Sequence, residues 1–326
     1  MKTYLNWGIL GASNFALHNM GPAIHEAHNS RLGALATSHA EKAIPFKGFC
    51  PDIEVHDSYD ALLADPSIDA VYIPLPNQLH VEWTKKALLA GKHVLTEKPI
   101  ALEAGEIDEL IALRDQTGLL AAEAYMIVHH PQWQRARALL ADGAIGKLLH
   151  VDGFFSYLNR DMDNIRNRPE TAGGGIRDIG VYTYGSARFV TGQEPTAITN
   201  TNITWENDVD TTAHVAADFP GFTYSATTSM RMANRQEMIF HGEDGVMRVP
   251  APFNADQFGE TRVELHLPDG SQKIERFPGT RQYKLQVEAF ARSVLNGDDY
   301  AWSLENARGT QRMIDMVFAA DKAKAP

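Results

Sequence analysis

Residues 4–16 read YLNWGILGASNFA, an apolar run that ends in a group of small residues. Gly11, Ser13 and Ala16 occupy the first, third and sixth positions of a dinucleotide-binding turn, where small residues let the backbone approach a pyrophosphate. Free N–H groups at the start of the following helix favour negative charge. Ser13 replaces the usual glycine, and its side chain either crowds the phosphate or donates its hydroxyl to it. The predicted cofactor contacts in this turn are Gly11, Ser13, Asn14 and Phe15.

From residue 4 to residue 124, short apolar runs alternate with longer segments of helical spacing. This alternation predicts parallel strands joined by crossover helices. The predicted strands span residues 4–10, 31–37, 53–56, 70–73, 93–96 and 119–122. The predicted helices span residues 58–64, 82–90 and 103–117, and Gly118 ends the last of them. We therefore expect an α/β fold with an N-terminal Rossmann domain, a doubly wound parallel sheet, over residues 1–124.

After about residue 145 the chain becomes rich in Thr, Val, Phe and Tyr, which is typical of antiparallel strands. The predicted strands span residues 197–205, 212–219, 223–231 and 238–241, and the predicted closing helices span 282–295 and 304–323. Turn-forming residues separate the strands. We expect residues 125–326 to form a C-terminal α+β domain for substrate binding and oligomerisation, built on an open, mainly antiparallel sheet. The last helices are able to pack back on the first domain.

Composition excludes several classes of protein. The 326 residues are 44% hydrophobic and 22% charged, as in ordinary globular proteins, and the length calls for two domains. The net charge of −11 opposes binding to nucleic acid and to anionic membranes. Cys50 is the single cysteine, so neither an internal disulfide nor a thiolate zinc site is possible. Without a signal-like or membrane-spanning run, we expect a soluble cytoplasmic protein.

The end of the second strand indicates which nicotinamide cofactor is preferred. A carboxylate there would bind the ribose hydroxyls of NAD and repel the additional phosphate of NADP. The chain instead reads Thr37-Ser38-His39-Ala40, and the nearest carboxylate, Glu41, follows next to Lys42. A hydroxyl, an imidazole and an ammonium can all donate to a phosphate. We therefore expect NADP as the preferred cofactor, with NAD as the alternative, and Ser38 and His39 among the cofactor contacts.

Two further motifs follow strands of the predicted parallel sheet. Residues 72–80 read YIPLPNQLH, a rigid turn with an asparagine placed to cap the next helix. Residues 96–99 read TEKP, which brings a charged pair to the same edge of the sheet. Cofactors lie at the carboxyl ends of the strands in such sheets. The predicted contacts from these motifs are Pro74, Leu75, Asn77, His80, Glu97 and Lys98.

These three features, in this order, resemble the family of glucose-fructose oxidoreductase, inositol 2-dehydrogenase and their relatives. Residues 164–170 (NIRNRPE) and 173–182 (GGGIRDIGVY) are similar to the substrate-domain signature of that family, so the resemblance covers nearly the whole chain. It implies hydride transfer between NAD(P) and a sugar, diol or related hydroxy or keto substrate. Many relatives have histidine where this chain has Tyr182. Tyrosine at this position resembles the dihydrodiol and xylose dehydrogenase subgroup, which favours aldoses or diols over inositols.

We expect the catalytic residues to be Lys98, Asp178 and Tyr182. Asp178 and Tyr182 stand four apart, so on a helix they share one face. A nearby Lys98 ammonium would favour the tyrosinate form of Tyr182 and stabilise a developing alkoxide. Asp178 would orient Lys98 or accept a substrate hydroxyl. We assign the proton transfer to Tyr182, and the alternative is that Lys98 carries the proton itself.

The remaining predictions concern the substrate, metals and partners. The predicted substrate-binding residues are Tyr125, Tyr157, Asn164 and Arg166. His129 and His130 are adjacent and lack an evident third ligand, so we expect no metal. One face of the second sheet would be uncovered in a monomer, which favours a homodimer or homotetramer through that sheet. Two alternative functions remain: an NAD-dependent glycosidase of the same fold, and a non-catalytic, nucleotide-bound sensor.

Overall fold

The computed structural model describes residues 3–255 and 257–324. Contacts between Cα atoms divide the chain into two compact units. The first unit comprises Met1–Met126 and Arg281–Arg308, and the second comprises Ile127–Thr280 and Gly309–Pro326. Among the described residues, no helix has both the length and the apolar character needed to cross a lipid bilayer.

Strands β1 to β6 belong to the first unit and strands β7 to β14 to the second. Their bounds are β1 Leu5–Leu10, β2 Ser30–Ala36, β3 Glu54–His56, β4 Ala70–Ile73, β5 His93–Thr96, β6 Ala121–Glu123, β7 Leu148–Leu158, β8 Ala197–Glu206, β9 Val209–Phe219, β10 Phe222–Ser229, β11 Arg231–Gly242, β12 Val246–Val249, β13 Arg262–His266 and β14 Gln272–Arg276. The α-helices are α1 Gly21–Glu26, α2 Ile44–Lys47, α3 Tyr59–Ala64, α4 His80–Leu89, α5 Ala104–Thr117, α6 Pro131–Ala141, α7 Val181–Thr191, α8 Gln282–Asn296 and α9 Leu304–Lys322.

The first unit contains a six-stranded sheet in the order β3-β2-β1-β4-β5-β6, and its paired strands are all parallel. This is the doubly wound arrangement predicted from the sequence, and the prediction is confirmed. Both faces of the sheet are covered: Trp7 and Phe290 of α8 pack on one face, with ring centroids 4.9 Å apart, and Val71 and Ile107 belong to the core on the other. Strands that are buried on both faces have near-continuous apolar sequences, and these apolar runs made the strands predictable.

Local capping explains where two of the helices in this unit begin and end. The Ser58 hydroxyl accepts the Ala61 N–H at 3.3 Å and starts α3. Glu103 and Glu106 form a capping box at the start of α5. Gly118 ends α5 in the left-handed conformation, with φ of 66°, which confirms the stop predicted at this glycine.

The second unit contains an eight-stranded sheet in the order β14-β13-β12-β11-β7-β10-β9-β8. Among the described strands of this sheet, only β7 and β10 pair in parallel, so the predicted open, mainly antiparallel sheet is confirmed. Helix α7 packs on β7, and α6 packs on β12 and β13.

Sequence patterns missed α1, α2, α6, β7, β12, β13 and β14, and they misplaced the break between β10 and β11, because the strand predicted over residues 238–241 begins at Arg231. The strand predicted over residues 223–231 ends at Ser229, and Arg231 instead opens β11. No turn-forming residue marks that break. Gly153 interrupts the strand pattern of β7, and the structure shows why it is there: a Cβ at position 153 would lie 3.0 Å from Met238 Sδ and 3.2 Å from Thr183 of α7.

Candidate active site

The turn after β1 has no room for a side chain at its first small residue. Gly11 has φ of +103°, a conformation that strains any residue with a Cβ. A Cβ at this position would also lie 3.0 Å from Leu75 Cδ2 and 3.3 Å from the Tyr59 hydroxyl. Leu75 and Tyr59 thus occupy the space that a side chain would need, so only glycine fits at this position of the turn.

Ser13 caps the helical segment that follows this turn. Its hydroxyl oxygen accepts the Ala16 N–H at 3.0 Å. Among the described residues, no acceptor is found for the N–H groups of Ala12, Asn14 and Phe15. Unpaired N–H groups at the start of a helix bind anions. The residues present at this turn thus fit the phosphate groups of a dinucleotide.

The end of β2 presents hydroxyl and imidazole groups. Thr37 is buried, and its hydroxyl accepts the His39 N–H at 3.2 Å. Ser38 and His39 are exposed. The Glu41 carboxylate reaches the His39 ring, with 3.3 Å between Oε1 and Nδ1. The Glu41 carboxylate therefore lies beyond the end of β2 and next to the His39 imidazole.

His80 joins two of the turns that the sequence assigned to the cofactor. One ring nitrogen lies 2.7 Å from the Leu75 carbonyl oxygen, and the other lies 2.7 Å from the Pro99 carbonyl oxygen. The side chain is 1% exposed, and burial lowers the pKa of His80, although the two carbonyls favour a proton on each nitrogen. The imidazole, predicted to contact the cofactor, thus holds the turns after β4 and β5 together.

Glu97 is also occupied by protein groups. The Tyr72 hydroxyl donates to Glu97 Oε1 at 2.6 Å, and the Lys98 N–H donates to Oε2 at 3.2 Å. Burial raises the pKa of Glu97, against the opposing effects of Tyr72 and Lys98. Lys98 is partly exposed at the end of β5 and precedes a cis peptide bond to Pro99. The protein therefore presents a cation at this sheet edge, next to a carboxyl group that is already bonded.

Tyr125, predicted to contact the substrate, is fully buried in the first unit. Its ring stacks on Trp302 with centroids 4.4 Å apart. The Trp302 indole N–H donates to Glu123 Oε2 at 2.9 Å, and Glu123 Oε1 accepts the Ile100 N–H at 3.0 Å. Contact between Tyr125 and a substrate would require this ring to be uncovered.

The second unit brings together four of the predicted residues, two of which contact the Asp178 carboxylate. Asp178 Oδ2 accepts the Tyr157 hydroxyl at 2.7 Å and lies 2.9 Å from Arg166 Nε. Asp178 is the main cause of the raised pKa of Arg166, and Tyr182 adds to it, so Arg166 and Tyr182 are also within electrostatic reach. Burial, then Asp178, raises the pKa of Tyr157. We call Tyr157, Arg166, Asp178 and Tyr182 the Asp178 cluster.

A π-helical turn carries the carboxylate of this cluster. Ile176–Gly180 is π-helical and continues into α7, so Asp178 and Tyr182 lie on either side of the change in helix type. Such turns are rare and recur at functional sites. Tyr182 is 7% exposed and packs near Phe155 and Phe253, at centroid distances of 6.0 and 5.6 Å.

Asn164 positions the arginine of the cluster. Its side-chain oxygen accepts the Arg166 N–H at 3.0 Å and caps the short turn Ile165–Asn167. Lys98 belongs to the first unit, whereas Asp178 and Tyr182 belong to the second. The convergence of these three residues stays a prediction.

The sequence patterns did not single out Asp210, a buried carboxyl group that contacts the glycine run. Its Oδ2 accepts the Ile176 N–H at 2.6 Å. Burial raises the pKa of Asp210 to about 7, against the opposing effects of backbone N–H groups and Arg177. The glycine run was the available signal, because three consecutive glycines imply that other groups approach the backbone closely.

His130 and His56 are the histidines to consider as metal ligands. His130 Nδ1 accepts the Gln132 N–H at 3.1 Å and caps α6. In the described part of the chain, ligand atoms of Glu54, His56 and Asp65 lie within 4.8 Å of one another. His56 Nε2 is 3.4 Å from Asp65 and 3.8 Å from Glu54, which is also the geometry of ion pairs. We assign no metal to these groups.

Replacing Tyr157 with phenylalanine should destabilise the second unit. The change leaves the Asp178 carboxylate without one donor, and a hydrogen bond to a charged group contributes about 1.5–3 kcal/mol to the free energy of unfolding. Tyr184→Phe is the matched control: that hydroxyl is buried, and it finds no hydrogen-bond partner among the described residues. We expect Tyr184→Phe to change the free energy of unfolding by less than about 0.5 kcal/mol or to raise it. Equal losses in urea denaturation would contradict the assigned hydrogen bond.

Comparisons with known proteins give a family match for the N-terminal part of the chain and another for the part that follows it. Residues 5–125 match the profile described as "Oxidoreductase family, NAD-binding Rossmann fold", and residues 133–248 match the GFO/IDH/MocA C-terminal domain. The chain is 32% identical to D-xylose 1-dehydrogenase (NADP(+)) 2 of Haloferax volcanii, over 98% of each chain. It is 35% identical to a dTDP-3,4-didehydro-2,6-dideoxy-alpha-D-glucose 3-reductase of Saccharopolyspora spinosa, over 99% of this chain and 98% of the relative.

The fold is also similar to a solved structure with bound ligands. That structure is a 3-ketoreductase of Actinomadura kijaniata, in complex with NADP and TDP-benzene. The two chains align with a TM-score of 0.89 and 28% identity, over 97% of this chain and 98% of the other. The family expected from the sequence is thereby confirmed. The chain belongs to the GFO/IDH/MocA family of NAD(P)-dependent oxidoreductases.

Proposed function

We propose that this protein is an NADP-dependent oxidoreductase acting on a hydroxyl or keto group of a sugar or related diol. The Asp178 cluster carries the proposal, because it brings the Tyr157 phenol and the Arg166 guanidinium to the carboxylate of the helical segment that also carries Tyr182. The relatives named above are a sugar dehydrogenase and a sugar-nucleotide reductase. A sugar offers several hydroxyls and little charge, so donors and acceptors at fixed positions suit it.

The cofactor residues follow from the edge of the parallel sheet. NADP, when bound, would accept or supply the hydride. We propose that the N–H groups of Ala12, Asn14 and Phe15 bind its pyrophosphate and that Ser38 and His39 bind its 2′-phosphate. The turns after β4 and β5 would line the remaining length, with Pro74, Leu75, Asn77 and Lys98 as contacts. His80 and Glu97 would act by fixing these turns, since their own polar atoms are bonded within the protein.

Proton transfer to or from the substrate oxygen is assigned to Tyr182. Lys98 would stabilise negative charge on that oxygen from the first unit. Arg166, whose charge interacts with Tyr182, would supply a second positive charge within the second unit. Asp178 would keep Arg166 and Tyr157 in place, and Asn164 would fix the backbone of Arg166. This gives Asp178 a positioning role in addition to the substrate contact expected from the sequence.

Tyr182→Phe and Lys98→Met are expected to lower turnover about 10²- to 10⁴-fold, because each removes a group that acts on the reacting oxygen. Steady-state NADPH absorbance with a panel of aldoses, keto sugars and trans-diols measures this effect. Tyr184→Phe, two residues along the same helix, should keep near-normal turnover. If Tyr182→Phe retains activity while Lys98→Met loses it, Lys98 carries the proton. Retained activity in both variants would contradict the proposed site.

Ser38→Asp should shift the cofactor preference from NADP towards NAD. A carboxylate at the end of β2 would repel the 2′-phosphate and bind ribose hydroxyls. We expect kcat/KM with NADP to fall by about 10-fold or more, since one lost charge-assisted contact of about 1.5–3 kcal/mol has that effect. Ser38→Ala is the control and should change the preference less. An unchanged NADP-to-NAD ratio in Ser38→Asp would place the 2′-phosphate elsewhere.

The open face of the second sheet supports a proposal of self-association in the cytoplasm. Side chains alternate between the two faces of β7, and those on the face opposite α7 include Phe154 and Leu158. The Arg235 guanidinium carbon lies 4.1 Å from the centroid of the Phe154 ring, and Leu158 is 58% exposed. Leu158→Glu should therefore weaken a homodimer or homotetramer by placing charge in the contact. Sedimentation velocity at micromolar concentration tests this expectation. A wild-type monomer would refute it.

A further inference from the structure

The helical segment that carries Asp178 and Tyr182 begins against a side chain from a distant part of the chain. Asp210 lies near the start of β9, 34 residues after Ile176, and its side chain is buried. Its Oδ2 accepts the Ile176 N–H at 2.6 Å, and the neighbouring Gly175 N–H lowers the pKa of this carboxyl group. One of the N–H groups left without a partner at the start of a helix is thus satisfied by Asp210.

The glycine run makes this contact possible. Gly174 has φ of +122°, and a Cβ there would lie 2.0 Å from Asp210 Oδ1. A Cβ at Gly175 would lie 3.5 Å from Asp210 Oδ2. Side chains at position 174 would therefore push the carboxyl away from the start of the helix.

Gly174 also connects this contact to the Asp178 cluster. The Asp178 N–H donates to the Gly174 carbonyl at 3.0 Å, and the Gly174 N–H donates to the Arg166 carbonyl at 3.0 Å. A Cβ at Gly173 would lie 2.5 Å from that same Arg166 carbonyl oxygen. One short segment is therefore held by Asp210 on one side and by the loop of Arg166 on the other.

We propose that Asp210 is a positioning residue for the reaction: it fixes the start of the π-helical turn and thereby the placement of Asp178, Arg166 and Tyr182. The inference rests on the function proposed above. A carboxylate suits this place because the amino end of a helix carries partial positive charge. Its two oxygens can each accept N–H groups, whereas an asparagine would turn an NH₂ group towards them.

The test uses Asp210→Asn and Gly174→Ala, which disturb the same contact from opposite sides. Val263→Ala, which removes buried apolar atoms from β13 near the other edge of the sheet, controls for loss of stability. We expect each of the first two variants to lower kcat by about 10- to 100-fold, since small misplacements of reacting groups have effects of this size. The dissociation constant for NADPH should stay within about twofold, because those contacts lie in the first unit.

Two further readouts separate positioning from general destabilisation. Amide hydrogen exchange in residues 173–182 should be faster in Asp210→Asn than in the wild type, and exchange in the strands of the second unit should change little. The double variant Asp210→Asn with Gly174→Ala should lose no more kcat than the worse single variant, because both changes break one contact.

The inference fails if Asp210→Asn and Gly174→Ala keep wild-type kcat and exchange rates. It also fails if Val263→Ala lowers kcat as much at an equal loss of melting temperature. Tyr182→Phe, measured in parallel, distinguishes this outcome from failure of the proposed function. Full turnover in Tyr182→Phe would remove the acid–base assignment, whereas faster exchange in Asp210→Asn would still show that the carboxyl fixes the helix start.

Discussion

One oxygen of Asp178 holds the second unit's part of the site together. It accepts the Tyr157 hydroxyl from β7 and pairs with Arg166 from the turn Ile165–Asn167, and the charge of Arg166 interacts with Tyr182. The Asp178 side chain is 13% exposed and needs such partners, because an unpaired charge largely removed from water is costly. In the proposed site, the glycine run, the turn capped by Asn164 and Asp210 position the segments that carry Asp178 and Arg166.

In the first unit, buried polar side chains hold the backbone of the strand ends. His80 joins two carbonyls, Glu97 accepts from Tyr72 and from the Lys98 backbone, and Glu123 accepts from Ile100 and Trp302. Buried polar groups are nearly always bonded, so residues that look like ligand contacts in a sequence are often bonded to the protein itself. These hydrogen bonds fix the backbone of the turns that would contact a dinucleotide. Ser38 and His39, the proposed contacts of the 2′-phosphate, are exposed at the end of β2.

Sequence patterns predicted the parallel sheet well, because strands buried on both faces are continuous apolar runs bounded by Gly and Pro. They predicted the second sheet less completely. Gly153 interrupts β7 to admit Thr183 and Met238, a contact between distant residues that no local pattern contains. The residues of the Asp178 cluster were identified through a motif, but the bonding among them was not. Asp210 was missed because its significance depends on where β9 passes the glycine run, which is a matter of tertiary structure.

The buried carboxyl at the start of β9 also links folding to protons in solution. In an unfolded chain at pH 5 to 6 the Asp210 side chain is ionised, whereas in the folded chain its pKa of about 7 keeps it mostly protonated. Folding in this range therefore takes up a proton, and the stability contributed by Asp210 declines as pH rises from about 4 to about 7 and is constant above. At neutral pH the protein therefore keeps a partly ionised carboxyl group at the start of the helical segment that carries Asp178 and Tyr182, and its stability is lower there than at acidic pH.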